Sequence, residues 1–252
     1  MWNGEAGQIM STADRKTDEL YGTLRGTHRG GDARANGYRF HAYFEHEQAH
    51  ILALTGTSPG TTLDVACGSG LMLAPLARSG ERIFGIDFNQ DACRDARANG
   101  VAVVRGDAFS LPLKDGLLAT VVATQFLNQQ DSASARRFVH EAARVLSPGG
   151  RLIIVWRNGR AAIHRVAHGL YSLVDRLKGD PPFPYINHGM EDVMSWGGEA
   201  GLEVEKSEAV LSLAGLCFSN PSGLGAKLLG ASYVLILTKS KKHIRMKYRC
   251  LA

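Results

Sequence analysis

The chain has 252 residues, 44% of them hydrophobic and 21% charged, with a formal net charge of +5. That length can bury one sizeable core, and the composition is that of a globular domain, which excludes collagen-like, low-complexity and disulfide-framework chains. Its four cysteines, Cys67, Cys93, Cys217 and Cys250, show no CxxC or other metal-ligand spacing, so free thiols in a reducing compartment and no metal site are expected.

The first residues lack the basic-then-apolar pattern of a secretory signal. The longest late apolar run, Leu228 to Leu237, is about half of the ~20 residues a membrane helix needs. A cytoplasmic protein without a transmembrane segment is expected. Residues 1–35 are polar and glycine-rich, with one short helical candidate, Asp14–Leu24. From Asn36 the apolar residues Phe40, Tyr43, Phe44, Ile51 and Leu54 recur at helical spacing, interrupted by polar Glu47 where the face would continue. Gly56 to Gly60, with Pro59, closes this segment. Residues 1–58 therefore read as an N-terminal helical cap that could serve as an acceptor lid.

Strands and helices then alternate. Thr61–Cys67 reads as a strand running into the glycine-rich turn Gly68-Ser-Gly70, and Leu71–Ser79 as a helix stopped by Gly80. Arg82–Asp87 is a second strand, Gln90–Asn99 a helix stopped by Gly100, and Val101–Arg105 a third strand. Leu117–Phe126 is apolar throughout, as expected of a strand buried on both faces. Ser132–Leu146 reads as a helix, Pro148-Gly-Gly150 as a turn and Arg151–Trp156 as a fifth strand. This alternation predicts a parallel sheet with right-handed crossovers.

The last hundred residues differ. Ala161–Leu177 carries apolar residues at helix spacing, and Asp180–His188 is a proline-rich loop bearing aromatics. A helix around Glu191–Ala200 follows, then two closing strands, Leu202–Leu213 and Tyr233–Thr238. No composition break marks a second domain, so residues 59–252 read as one unit with insertions at 159–190 and 214–231. From Ala209 onward there is no Asp or Glu, while Lys227, Lys239, Lys241, Lys242, Arg245, Lys247 and Arg249 are basic. Such a tail can bind nucleic acid or an anionic surface. A solvated end is the reading preferred, because the rest of the chain has no basic stripe.

Three carboxylates stand in or just after the first three strands: Asp64, Asp87 and Asp107. A dinucleotide-binding turn would be GxGxxG, but Leu73 stands where the third glycine belongs. A nucleoside ligand without phosphates does not need that glycine, and S-adenosylmethionine is such a ligand. Asp64 can help position its ammonium. Asp87 can accept from both ribose hydroxyls, and Asp107 from the adenine amino group beside the backbone of Ala108. Phe88 is placed to cover the adenine. The alternative for each acid is a strand-end residue capping the next helix.

Leu63-Asp-Val-Ala-Cys-Gly-Ser-Gly70, Gly85-Ile-Asp-Phe88, Gly106-Asp-Ala108 and Arg144-Val-Leu-Ser-Pro-Gly-Gly-Arg-Leu152 together resemble the ordered motifs of class I S-adenosylmethionine-dependent methyltransferases. The style is closest to the small-molecule, quinone-biosynthesis branch, and the resemblance covers roughly residues 60–158. It implies an α/β fold, a Rossmann-like seven-stranded mostly parallel sheet with an antiparallel last strand and helices on both faces. It also implies S-adenosyl-L-methionine as cofactor, S-adenosyl-L-homocysteine as product, and cofactor contacts at Asp64, Ala66, Gly68, Gly70, Asp87, Phe88, Asp107, Ala108, Thr124, Gln125 and Phe126. Ala66 departs from the glycine common at that position.

The motifs do not specify the methyl acceptor. Candidates to hold it are Tyr38, Arg39, Asn128, Trp156, Arg157 and Tyr185. If a general base is needed, His188 is the first candidate and His41 the second. A small molecule, lipid-like in view of the apolar stretch from Ala209 to Leu237, is the expected partner, with the protein a monomer or homodimer. RNA or protein methylation through the basic tail is an alternative, against which there is no (N/D)PP(F/Y) motif after the fourth strand; nucleic acid is therefore not the expected partner. A non-catalytic S-adenosylmethionine-binding protein is a further alternative.

Overall fold

The computed structural model describes residues 38, 41–56, 60–159, 161, 186–213, 216–219 and 230–240. The strands are β1 (Thr62–Val65), β2 (Ile83–Asp87), β3 (Ala102–Arg105), β4 (Leu118–Thr124), β5 (Leu146–Arg157), β6 (Leu202–Leu213), β7 (Leu216–Ser219) and β8 (Gly230–Lys239). The helices are α1 (His41–Thr55), α2 (Ala74–Arg78), α3 (Gln90–Ala98), α4 (Ser132–Val145) and α5 (Met190–Glu199), with a 3-10 turn at Leu127–Gln129. The helical candidates Asp14–Leu24 and Ala161–Leu177 lie outside the described residues or almost wholly so, as do most of the basic tail and the candidate residues Arg39 and Tyr185.

One sheet runs in the order β3-β2-β1-β4-β5-β8-β6-β7. β1 to β5 are mutually parallel, β8 is antiparallel to both of its neighbours β5 and β6, and β7 is antiparallel to β6. The seven-stranded, mostly parallel sheet is therefore present. It carries one strand more than expected, the short β7, within the segment expected to be an insertion. Pro148-Gly-Gly150 is also not a separate turn. Helix α4 hands over directly to β5 at Leu146, and the proline and glycines are absorbed as a register shift against β4 between Leu118 and Thr120.

Strand residues alternate between two cores, as the two-residue period of a pleated strand requires. Leu63, Val65, Val121, Ala123, Leu152, Ile154, Trp156, Leu235 and Leu237 pack with α4 and α5. Val122, Ile153, Val155, Val234 and Ile236 pack on the opposite face with Phe44 and Ile51 of α1. Helix α1 is thus a layer on the sheet, built by the same apolar spacing that marked it in the sequence. Asp131 caps α4 by accepting from Ser134 N at 2.7 Å, and Lys239 closes its other end by donating to Ala143 O and Leu146 O, both at 2.7 Å. Among the described residues no helix is long and apolar enough to cross a membrane.

One close approach ties this frame to the glycine-rich turn. A Cβ on Gly85 of β2 would meet Cys67 Sγ at 2.5 Å and Cys67 Cβ at 3.1 Å. Cys67 and Cys93 are buried free thiols, and burial foremost pushes the Cys67 thiol well above its usual range, with Asp64 and Asp87 adding to the effect. Gly85→Ala should cost about 1–3 kcal/mol by overpacking. Denaturant unfolding should show that loss in the parent and a smaller one in a Cys67→Ala background.

Candidate functional site

The carboxyl ends of β1, β2 and β3 bring the three acids together at one edge of the sheet. Asp64 lies within β1, flanked in register by Gly85 of β2 and Val122 of β4, neither of which offers a side-chain donor. It is 1% exposed, and neither carboxylate oxygen has a hydrogen-bond partner among the described residues. Burial, and secondarily the nearby Asp87, push its pKa up to about 8. A buried acid left in this state is a site for a cation, because a positive charge would supply what the protein does not.

Beyond β1 the chain turns through Ala66, Gly68 and Gly70 with φ of 54°, 56° and 73°. This left-handed path is easy for glycine and strained for alanine. A Cβ on Gly70 would also press on Val101 and Ala96 at 3.0–3.2 Å. Asn99 Nδ2 holds the turn from outside by donating to Ser69 O at 2.9 Å.

Asp87 ends β2 and clamps two turns at once. Its Oδ2 accepts from Gly68 N at 2.8 Å and its Oδ1 from Asn89 N at 2.9 Å. It is not the cap of α3. That role belongs to Asn89, whose Oδ1 accepts from Ala92 N. Each carboxylate oxygen can accept two hydrogen bonds, so the clamp is compatible with hydroxyl donors from a ligand. Phe88 beside it is half-buried, its carbonyl held by Arg105 Nε at 2.8 Å. Asp107 makes a local turn, accepting from Phe109 N at 2.8 Å, and Ala108 packs partly buried against the core.

A second polar cluster lies at the ends of β4 and β5, and sequence reasoning missed its centre. Glu47 of α1, 6% exposed, accepts from Tyr38 Oη at 2.6 Å, from Gln125 Nε2 at 2.9 Å on each oxygen, and from Ser232 Oγ at 3.4 Å. Tyr43 Oη bonds Ser232 Oγ, and the Arg157 guanidinium lies 5.3 Å from the Tyr43 ring centroid. Burial first, and Glu47 next, raise the pKa of both Tyr38 and Tyr43. The signal that could have found Glu47 was its place on an otherwise apolar helix face.

The remaining candidates make contacts within the fold. Asn128 is buried and stitches three segments, accepting from Arg157 N at 2.8 Å and donating to Arg157 O and Ile186 O at 3.2 Å. Trp156 is wholly buried, with its indole N–H on His188 O at 3.1 Å. Phe126 packs between Phe109 and Phe138. Thr124 is half-buried at the end of β4. His188 is buried, its ring edge-on to Trp196, and its Nε2 faces Leu127 O at 3.1 Å and Gln130 O at 2.8 Å. Two carbonyls at one ring nitrogen require that nitrogen to carry the proton and donate. His41 is on the exposed side of α1, 3.3 Å from Glu45. The structure does not bring either histidine to the carboxylates. Among the described residues no cluster of His, Cys, Asp and Glu could hold a metal ion.

The Asp64 geometry predicts a pH dependence. Its folded pKa is raised, so its contribution to stability is present at low pH and is lost as pH rises toward about 8. Asp64→Asn should therefore raise the melting temperature of the ligand-free protein at pH 8.5. A bound ammonium draws the proton off Asp64, so affinity for S-adenosylhomocysteine should rise several-fold from pH 6 to 8 in calorimetry. Asp64→Asn should weaken binding and flatten that rise.

Residues 63–154 match the methyltransferase domain family. A demethylmenaquinone methyltransferase of Corynebacterium kroppenstedtii is 36% identical over 36% of this chain and 39% of its own. One from Mycobacterium sp. (strain KMS) is 34% identical over 60% of this chain and 67% of its own. This chain thus spans well under half the length of the first relative and about two thirds of the second. Among solved structures, magnesium protoporphyrin IX methyltransferase from Synechocystis PCC 6803 with bound S-adenosylmethionine superposes with a TM-score of 0.61 at 16% identity, over 92% of this chain and 100% of the other. The buried unpartnered acid of β1, the left-handed glycine turn and the clamp at the end of β2 fit a nucleoside with a cationic amino-acid end, and with the domain match and the Mycobacterium relative they place the chain in the class I S-adenosylmethionine-dependent methyltransferase family.

Proposed function

We propose that this protein transfers a methyl group from S-adenosylmethionine to a small-molecule acceptor by in-line displacement. The observation that carries the reading is Asp64, buried at the foot of the glycine turn with both oxygens lacking a partner among the described residues. In this reading Asp64 takes the ammonium, the backbone of Ala66, Gly68 and Gly70 lines the amino-acid end, Asp87 takes the ribose hydroxyls, and Asp107 with Ala108 and Phe88 holds the adenine. The sulfonium supplies an activated methyl carbon when the cofactor is bound. What the chain adds is alignment and exclusion of water, which can supply about 7–11 kcal/mol of the barrier.

The relatives' names support a small-molecule acceptor. They are demethylmenaquinone methyltransferases, which supports a small acceptor; in this reading it is lipid-like and the protein works as a monomer or homodimer. The half-buried face formed by Gln125 and Arg157 at the ends of β4 and β5, with Tyr43 of α1 beside them, is where this reading places it. His188 is reassigned from general base to a positioning residue. Its donating Nε2 ties the 3-10 turn after β4, and its carbonyl holds Trp156.

The test is transfer of a labelled methyl group from S-adenosylmethionine into an extract of the source cells by the purified protein. Label is expected in the organic-soluble fraction, falling tenfold or more with Asp87→Ala; label in macromolecules would overturn the reading. His188→Ala should lower stability by about 2–4 kcal/mol, through two unsatisfied carbonyls and lost packing. The pH profile of residual turnover should keep its shape. Loss of an ionisation near neutral pH would return the base role to His188.

A further inference from the structure

The Glu47 cluster has a direction. Glu47 accepts from three donors: the Tyr38 hydroxyl, the Gln125 amide N–H group on both oxygens, and the Ser232 hydroxyl. A carboxylate offers no proton in return, so the Gln125 atom facing it must be the amide nitrogen. With Nε2 drawn to both oxygens, Gln125 Oε1 is turned away from Glu47. That oxygen is buried and has no partner among the described residues. An amide acceptor in this state costs free energy unless a donor reaches it.

The place of Gln125 gives the missing donor a direction. It directly follows β4, and its own N–H is fixed on Val155 O at 2.7 Å. Its φ is 57°, and the other described non-glycine residue at positive φ is Ala66, in the glycine turn after β1. β1 and β4 are sheet neighbours, with Val65 opposite Ala123. Two strained turns thus stand side by side at the carboxyl edge, one holding the Asp64 site and the other presenting an acceptor. Strained non-glycine backbone persists where its surroundings over-determine it. Here Glu47 and Val155 O do so.

We propose that Glu47, from outside the glycine-turn and strand-end motifs, is a positioning residue that locks the Gln125 amide so that Oε1 accepts a hydrogen bond from an N–H or O–H donor on a bound ligand. This rests on the methyltransferase reading above and adds to it a requirement on the ligand: a donor at the junction of cofactor and acceptor. Two sources share that chemistry, the ammonium of the cofactor and a hydroxyl or amine of the methyl acceptor.

Glu47→Gln separates them. A glutamine at 47 brings a donor into a ring of donors, and the Gln125 amide is relieved by turning Oε1 inward. Calorimetry on the full chain should compare S-adenosylhomocysteine with methylthioadenosine, which lacks the amino-acid end. If the donor is the cofactor ammonium, S-adenosylhomocysteine affinity falls tenfold or more while methylthioadenosine affinity stays within twofold. If the donor is on the acceptor, both affinities hold and labelled methyl transfer falls tenfold or more. Gln125→Met, which removes the acceptor and keeps the length, should reproduce whichever pattern appears, and the double variant should be no worse than the worse single one. It also carries the test alone if Glu47→Gln does not fold. Equal weakening of both probes, or no change in binding and transfer, would overturn the proposal. A parent protein that binds neither probe would instead sink the methyltransferase reading, and this inference with it.

Discussion

A carboxylate set inside the sheet with no donor to meet it is the constraint around which the molecule is arranged. Asp64 sits in β1, an interior strand between β2 and β4, on the opposite side of the pleat from Leu63 and Val65, with Gly85 and Val122 as its lateral neighbours. Burying an acid without a partner is costly, enough to push its pKa up to about 8 so that it holds its proton near neutral pH, and the fold must offset that cost elsewhere. It does so with two continuous apolar layers, whose residues from β4, β5 and β8 are almost entirely removed from water. Stability is therefore concentrated in the middle of the sheet, and the deficit is concentrated at one edge.

The same edge is shaped by backbone that side chains ordinarily resist. Ala66 and Gln125 both adopt left-handed conformations, one after β1 and the other after β4. Asp87 clamps the first turn through Gly68 N, and Glu47 clamps the second through the Gln125 amide. In each case a buried acid fixes a loop by accepting hydrogen bonds, and in each case the acid comes from a different element than the loop. Rigidity at the edge is thus borrowed from β2 and α1, which are themselves packed into the cores.

The strand-turn-helix units between residues 61 and 157 were legible in the sequence because their signals are local: apolar runs, stopping glycines, and acids following strands. The assignment of three acids to one edge followed from topology, since parallel strands end on the same side. Capping was a fair alternative for Asp87 until Asn89 was seen to do it. The Glu47 cluster was not legible, because Tyr38, Tyr43, Glu47, Gln125 and Ser232 are joined by folding and by no spacing. His188, the first candidate for a general base, was legible as a loop histidine but not in its surroundings. Nothing in its proline-rich loop marks the burial that the carbonyls of Leu127 and Gln130 give it. Lys239, counted with a basic tail, spends its ammonium on the carbonyl end of α4.

The position of β8 bears on how the chain comes to be folded. It is the last described strand in sequence, Gly230–Lys239, yet it lies between β5 and β6 and pairs with both along most of its length. On a ribosome, β1 to β5 can assemble as soon as they emerge, but β6 has no place in the sheet until synthesis has passed residue 239. For the time taken to make the residues from the end of β5 at Arg157 to the end of β8 at Lys239, about 4–16 seconds at roughly 5–20 residues per second, the nascent chain leaves β5 as an open edge. Such an edge is a template for wrong pairing until β8 covers it.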